Sequence, residues 1–271
     1  GSQQRDFLGP VNPTLAIFLI SALGLFLEML LIRWVGTEVR IFAYLQNTIL
    51  VVCFLGLGLG CFTCRKPVDL RPTLLPLAFL GLLFAIPVTR EELGKISILL
   101  SATGDLLIWE PSDITDFWLR VFYVVLGLGI TYCLMVFILD IFVPIGRILG
   151  RLMDDHPITI LAYSINIAGS LIGTWLFVFL SVFYQPPLTW FIILAVFIFI
   201  FMGRTGRGWR LNLALLFSIV ILSWFAGQVP GSLRVVWSPY QKLVLSKSDP
   251  EKGQVGEYLV TVNNTAYQGM L

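Results

Sequence analysis

Two ionisable residues inside the first apolar stretch are the first candidates for chemistry. Glu28 and Arg33 lie in the sequence Leu-Glu-Met-Leu-Leu-Ile-Arg at 27–33. An ionisable side chain within a membrane span is costly, usually faces the protein interior and has a partner there. A separation of five positions is poor for a direct pair on one helix, because helical neighbours are three or four residues apart. Each is therefore predicted to find its partner on another element, and the deeper Glu28 is predicted to be buried.

Other polar residues interrupt the later apolar stretches. Asp140 lies near the end of the fourth stretch, and Arg147 follows two turns later. Arg33 and Asp140 are predicted to extend towards the lipid headgroups, since polar side chains near helix ends commonly do so. Asn166 lies one turn before a pair of glycines and is expected to form a hydrogen bond to another helix.

The glycine-rich segments predict close helix packing. Gly56, Gly58 and Gly60 resemble a nucleotide-binding loop only superficially, because such a loop follows a strand and leads into a polar helix start. Here the glycines lie within an apolar run. Gly169 and Gly173 form a face of small residues of the kind that lets membrane helices approach closely.

The cysteines and the histidine predict no metal centre or catalytic set. Cys61 and Cys64 form one Cys-x-x-Cys pair, whereas a structural zinc site needs four ligands. His156 lies beside Asp154 and Asp155 in a loop, where it is expected to be solvated. No Ser/His/Asp arrangement can be assembled around it.

The composition indicates an integral membrane protein. Of the 271 residues, 57% are hydrophobic and only 13% are charged, whereas soluble domains have about 25% charged residues. This excludes an ordinary soluble enzyme. The net charge of +2 and the absence of a basic stripe give no indication of nucleic-acid binding, so the expected partner is the lipid bilayer.

The sequence predicts an α-helical polytopic membrane protein with about seven transmembrane helices, followed by a short β-hairpin region. Residues 1–13 form an N-terminal segment, 14–227 the helical domain and 228–271 the tail. The apolar piece at 96–109 is too short to span and is predicted to be an interfacial helix or a lid. The predicted spans are 14–36, 41–62, 72–88, 118–142, 158–183, 186–203 and 209–227.

The Lys and Arg distribution favours a cytoplasmic N-terminus. Nine of these residues fall on the N-terminal side of the predicted spans and five on the other side, and the cytoplasmic side is normally the richer one. Seven crossings would then place the tail outside the cytoplasm.

The tail is rich in β-branched and aromatic residues. Its segments 235–246 and 256–263 are predicted to form a β-hairpin around the loop 249–253. Two strands alone are marginally stable in water. The hairpin is therefore expected either to begin a larger domain, which is the favoured interpretation, or to pack on a partner.

Several motifs together resemble one protein family. The tail contains Trp-Ser-Pro-Tyr-Gln-Lys at 237–242 and Tyr-Gln-Gly-Met-Leu at 267–271. These resemble the N-terminal β-region of spermidine synthases, which precedes the fold that binds decarboxylated S-adenosylmethionine. The helical part resembles the integral-membrane spermidine-synthase-like (polyamine aminopropyltransferase-like) proteins of bacteria, which have a Glu and an Arg in the first span. The glycine-rich second span and the Tyr-x-x-Asn-x-x-Gly-x-x-x-Gly pattern at 163–173 extend the resemblance over nearly the whole chain.

The resemblance implies a function and a location. Tyr240 and Gln241 would help to hold the nucleoside cofactor, and Gln268 would line the substrate side. The chain would be the membrane-anchoring domain of an aminopropyl- or methyltransferase in the bacterial cytoplasmic (inner) membrane. The catalytic domain is expected beyond residue 271. Decarboxylated S-adenosylmethionine or S-adenosylmethionine would bind there, and no cofactor is expected within this chain.

Two observations favour an alternative, a non-catalytic scaffold or accessory subunit that binds other membrane subunits or a second copy of itself. Soluble members of the family have an acidic pair just before the Tyr-Gln position, and Asn264-Thr265-Ala266 stands there instead. Moreover, a nucleoside cofactor is cytoplasmic, whereas the charge count places the tail outside. A transporter that uses Glu28 and Asp140 as cation sites ranks last, because the sequence shows no internal repeat.

Overall fold

The computed structural model describes residues 12–39, 42, 46–94, 96, 116–202, 208–248 and 256–270. Most of the predicted N-terminal segment, the predicted helix at 96–109 and the loop at 249–253 lie outside these residues. The described helices are α1 Pro13–Glu38, α2 Gln46–Phe62, α3 Arg71–Ala85, α4 Pro87–Gly94, α5 Phe117–Asp154, α6 Thr159–Val182, α7 Pro187–Phe201 and α8 Trp209–Gly227. The described strands are β1 Ser232–Trp237, β2 Lys242–Lys247, β3 Tyr258–Val262 and β4 Thr265–Met270.

Within the described residues, four helices are long and apolar enough to cross a membrane: α1, α5, α6 and α8. The pair α3 and α4 would make a fifth span, but the two helices meet at a bend of 97°. The remaining apolar helices, α2 and α7, have 17 and 15 residues. At 1.5 Å per residue both are shorter than the hydrocarbon core of about 30 Å. The helices thus support an integral membrane protein, with fewer full-length spans than the sequence predicts.

Helix α5 is longer than predicted. It continues for twelve residues past the predicted end at 142, through Pro144 and on to Asp154. Asp140 therefore lies fourteen residues before the end of the helix, about 21 Å along its axis. The predicted end of the span at 142 is thus not the end of the helix, because the apolar pattern continues on the far side of the proline.

Helix α1 is the centre of the helical domain. It packs against α2, α5, α6 and α7, and two thirds of its most apolar 18-residue window is buried. A helix that is apolar on all sides has to be surrounded by other elements. The outer helices instead expose large apolar side chains, such as Phe54, Phe122, Ile160 and Phe217, which is the surface that lipid would cover.

Close approach of helices at glycines is confirmed. A Cβ on Gly60 would lie 2.7 Å from the Cα of Gly146 on α5. A Cβ on Gly173 would lie 2.9 Å from the Cα of Ala22 on α1. Both distances are shorter than van der Waals contact allows, so only glycine permits these helix pairs to pack as they do.

The tail is a four-stranded antiparallel sheet in the order β1-β2-β3-β4 rather than the predicted two-stranded hairpin. The segment predicted as the first strand, 235–246, contains the second half of β1, the turn Ser238–Gln241 and most of β2, since Trp237 pairs with Lys242. The prediction overlooked a second turn, at Asn263 and Asn264, which have φ values of 47° and 63°. Asparagine tolerates positive φ, as a two-residue type I′ hairpin turn requires.

We expect Gly173→Leu to destabilise the helical domain by about 1–3 kcal/mol, because the new side chain would overlap the backbone of α1. Thermal unfolding of the purified protein in detergent would show a lower midpoint. Gly129→Leu on α5 is the matched control, since nothing lies within 4 Å of a Cβ at that position. Equal midpoints for the two variants would contradict the close approach of α1 and α6.

Candidate functional site

A buried carboxylate at the end of α1 joins the helical domain to the sheet. Glu38 is 2% exposed, and each of its oxygens has partners on other elements. Lys242 Nζ, at the start of β2, donates to Oε1 at 2.8 Å. Asn264 Nδ2, in the β3–β4 turn, donates to Oε2 at 3.0 Å. One side chain of the helical domain thus contacts two separate segments of the sheet.

Arg90 brings a third element to the same carboxylate. Its Nη1 lies 3.9 Å from Glu38 Oε2, and the residue is only 8% exposed. The same nitrogen donates to the carbonyls of Ala226 and Gln228, at 3.3 and 3.1 Å. These carbonyls lie at the end of α8, where the last carbonyls of a helix have no partner within the helix. The bend between α3 and α4 therefore positions a cation between α1 and the end of α8.

Lys242 is fully buried because of its register on the sheet. It pairs with Trp237 across β1 and β2, and the inward-facing residues Trp237, Lys242 and Val244 contact the helical domain or lie close to it. Trp237 packs edge-to-face on Trp190 of α7, with ring centroids 5.3 Å apart. Lys242 Nζ lies 5.3 Å from the centroid of the Trp237 ring, within the range of a cation–π contact.

The charges of this cluster act on Lys242 in opposite directions. Burial lowers the pKa of the Lys242 ammonium, and the nearby Arg90 cation acts in the same direction. The Glu38 carboxylate raises that pKa through its charge and its hydrogen bond. A buried ammonium without such a partner would be strongly disfavoured. The sheet can therefore bury Lys242 only where Glu38 is in place.

Arg33 forms a second attachment one and a half turns before Glu38. Its Nη1 donates to the Pro239 carbonyl at 2.6 Å, and its Nη2 donates to the Ser238 carbonyl. The turn also has internal bonds, because Ser238 N donates to Gln241 O at 2.9 Å. The expected partner on another element is present. The extension of Arg33 towards the lipid headgroups stays a prediction, and the tail folds back over the end of α1.

The other intramembrane polar residues are in separate places. Glu28 is 1% exposed, as expected for a buried carboxyl, and no described residue donates to its Oε2. Asn166 Oδ1 accepts a hydrogen bond of 2.7 Å from Ser21 on α1, the interhelical bond that the sequence predicts. Asp140 is half-buried on α5. These residues do not converge on one site.

The residues that the family resemblance would assign to ligands are in the tail. Tyr240 is 86% exposed, and Gln241 is also exposed, at the end of the β1–β2 turn. Gln268 lies on β4 opposite Val260, and its side chain is not among those that the structure describes. Tyr240 and Gln241 are therefore free to contact a ligand or another domain, whereas their neighbour Lys242 is committed to Glu38.

The opposite ends of the helices carry a more exposed set of contacts. Arg65 forms ion pairs with Asp154 and Asp155, and their carboxylates raise the pKa of the Arg65 guanidinium. His156 Nε2 lies 3.4 Å from Thr14 Oγ1 at the start of α1. Arg65 and Asp154 are largely in solvent, where ion pairs contribute little to stability. His156 is thus part of a loop contact rather than a reactive cluster.

The site therefore serves to attach the sheet, and sequence reasoning missed its central residue. Glu38 follows the first span, so it was not recognised as an intramembrane charge. The sequence indicates this residue only indirectly. Glu38 is a carboxylate five residues after Arg33, near the end of the first helix, and the tail contains a lysine within an apolar strand pattern. A lysine at an inward-facing strand position requires a carboxylate from another element.

We expect Glu38→Gln to lower the free energy of unfolding by about 3–5 kcal/mol, because it leaves two buried cations without their carboxylate. Lys242→Met should cost less, since Glu38 keeps Arg90 and Asn264 as partners and the apolar stem is retained. Thermal unfolding in detergent would measure both losses of stability. Limited proteolysis should cleave the sheet of each variant before the helical domain.

Arg65→Gln is the matched control, because it removes a solvent-exposed ion pair at the other end of the helices. Its unfolding midpoint should stay close to that of the unchanged protein. A Glu38→Gln variant as stable as Arg65→Gln would contradict the role of Glu38 in holding the sheet.

The chain finds no match among protein-family models, curated proteins or solved structures. The resemblance to spermidine synthases accordingly depends on the residues at 237–242, 267–271 and in the helices. The geometry gives the element at 237–242 a defined role, attachment to the end of α1.

Proposed function

We propose that the chain is the membrane-anchoring domain of a spermidine-synthase-like protein, which holds an extramembranous β-region in a fixed position at one membrane face. The observation that carries the proposal is the double attachment of the 237–242 element. Arg33 binds the carbonyls of its turn, and Glu38 binds its lysine. The element that resembles the family is thus attached to the helical domain through Ser238, Pro239 and Lys242.

The proposal includes seven crossings of a bacterial cytoplasmic membrane. The ends of α1 and α8 lie with the sheet, since Arg90 contacts both. The starts of α1 and α6 lie at the other end, where Thr14 approaches His156. The short helix α2 packs along α5, and α7 along α8. A chain path that alternates between these two ends supports one further crossing each by α2, by α7 and by the bent pair α3–α4.

A first candidate for the whole protein is an aminopropyl- or methyltransferase, with its catalytic domain after residue 271. Rigid attachment of the β-region would hold that domain at a constant distance from the bilayer. Tyr240 and Gln241 support this candidate, because both side chains are exposed beside the attached turn. They remain available for a nucleoside cofactor carried by the following domain.

A second candidate, a non-catalytic scaffold, is favoured by the contact of Asn264. In soluble members of the family an acidic pair precedes the Tyr-Gln position, where it suits a cationic polyamine. Here Asn264 occupies that region and donates to Glu38 at 3.0 Å. A carboxylate at this position would be repelled by Glu38. The residue is therefore fitted to attachment, at the expense of polyamine binding.

The location of the sheet separates the two candidates. We expect a cysteine at the exposed Lys247 position, in a protein without its four native cysteines, to react with a membrane-impermeant maleimide in intact cells. The excess of Lys and Arg on the opposite side of the membrane predicts this result. Permeabilised cells give the total amount of reactive thiol. A cysteine at the exposed Lys66 position, just after the other end of α2, is the matched control.

Labelling of Lys247→Cys in intact cells would favour the scaffold, because nucleoside cofactors are cytoplasmic. Labelling only after permeabilisation would contradict the orientation and favour the transferase. In that case the natural full-length protein, supplied with decarboxylated S-adenosylmethionine and putrescine, should release methylthioadenosine. Labelling of both cysteines on the same side would contradict the odd number of crossings between them.

A further inference from the structure

A groove of about 530 Å³ opens between the final turns of α1 and α6, beneath the β1–β2 turn. Its polarity changes along α1. Met29 and Ile32, nearer the middle of the helix, give it an apolar inner part together with Val178 of α6. Arg33, nearer the end of α1, gives it a cationic outer part together with the exposed Tyr240.

The groove results from the sizes of successive residues at the α1–α6 contact. The two parallel helices meet at Gly169 opposite Phe18, and one turn later at Gly173 opposite Ala22. One turn further, Phe177 meets Phe26, with ring centroids 5.8 Å apart. Two aromatic side chains need more room than a glycine and an alanine. The groove lies beyond this aromatic pair, and Phe177 is part of its lining.

Arg33 has unused capacity for an anion. Arginine has five N–H donors, and two of them go to the carbonyls of Ser238 and Pro239. Its Nε is buried, and no described residue accepts from it. Among the described residues, Arg33 also forms no ion pair with a carboxylate. Carbonyl dipoles fix the position of the guanidinium but do not neutralise its charge.

The groove lies at the level of an exposed aromatic belt. Trp175 and Phe179 on the last two turns of α6 are each about half exposed, and so is Tyr184 just after them. Tyrosine and tryptophan concentrate at the boundary between hydrocarbon and headgroups. Tyr240, which is 86% exposed, lines the groove from the sheet. The cationic part of the groove is therefore positioned at headgroup depth.

We propose that this groove binds one anionic phospholipid, with its phosphate at Arg33 and an acyl chain along Met29, Ile32 and Val178. The hydroxyl groups of Tyr240 and Ser181 are available to the rest of the headgroup. A cationic polyamine would be repelled by Arg33, so the groove is not a polyamine site. The proposal does not depend on the spermidine-synthase-like assignment and holds for either candidate function.

The test is thermal unfolding of the purified full chain in a neutral detergent, after removal of bound lipid. Short-chain dihexanoyl phosphatidylglycerol, dihexanoyl phosphatidylcholine and inorganic phosphate are titrated separately. A ligand that binds only the folded state raises the midpoint in proportion to its affinity and concentration. We expect phosphatidylglycerol to bind about tenfold more tightly than phosphatidylcholine, because both phosphates can accept from Arg33 but only phosphatidylcholine adds a choline cation, which Arg33 repels. Phosphate alone should give no rise.

Two variants locate the binding. Ser181→Trp adds a large side chain to the groove while Arg33 itself is unchanged, and it should abolish the response to phosphatidylglycerol. Ser164→Trp, at an exposed position on the same helix, should keep the response. Arg33→Gln should reduce the preference for phosphatidylglycerol over phosphatidylcholine, whereas Arg210→Gln, at an exposed position at the opposite end of the domain, should not. If Arg33→Gln fails to fold, the serine pair still decides the outcome.

Three results would overturn the proposal. Equal responses to the two lipids would show that charge is not recognised. An equal response to inorganic phosphate would indicate a simple anion site without an acyl-chain groove. A full response in Ser181→Trp would place the binding elsewhere on the protein.

Discussion

The structure depends on one buried carboxylate, whose charge is stabilised by partners from other elements. Glu38 is out of contact with solvent at the end of α1, where an unpaired charge would be prohibitively costly. Lys242, Arg90 and Asn264 provide its partners. They come from β2, α4 and the β3–β4 turn, so each of these elements has to be in place before the charge is satisfied. Four segments far apart in sequence are thereby brought to one point.

The packing of the helical domain sets the position of α1 and therefore of Glu38 at its end. Contacts at glycines hold α1 against α6, and the aromatic pair Phe26 and Phe177 follows one turn later. Further along α1, Arg33 and Glu38 reach the sheet. Arg33 has two roles, because it binds the β1–β2 turn and also lines the groove beside α6.

The 237–242 element both attaches the sheet to the helical domain and resembles the family. In the 237–242 element, Trp237 and Lys242 are buried, whereas Tyr240 and Gln241 are exposed. Inward positions of a strand are suited to anchoring, and exposed positions in a turn are suited to binding. An anchor and a ligand-binding turn are therefore compatible within six residues. In the proposed function, Asn264 stands where soluble spermidine synthases have an acidic pair, and its amide donates to Glu38.

Composition and apolar periodicity by themselves determined the membrane character, the approximate helix positions, the packing glycines and the burial of Glu28, because these follow from local residue content. Local content did not decide how far α5 extends past Pro144, or that Asn263 and Asn264 form a turn that divides the tail into more strands. It also did not reveal Glu38, which follows an ordinary span end in the sequence. Only the tertiary structure pairs that carboxylate with Lys242, 204 positions away. The physical reason is that a buried charge is stabilised by partners from other elements, which no local pattern specifies.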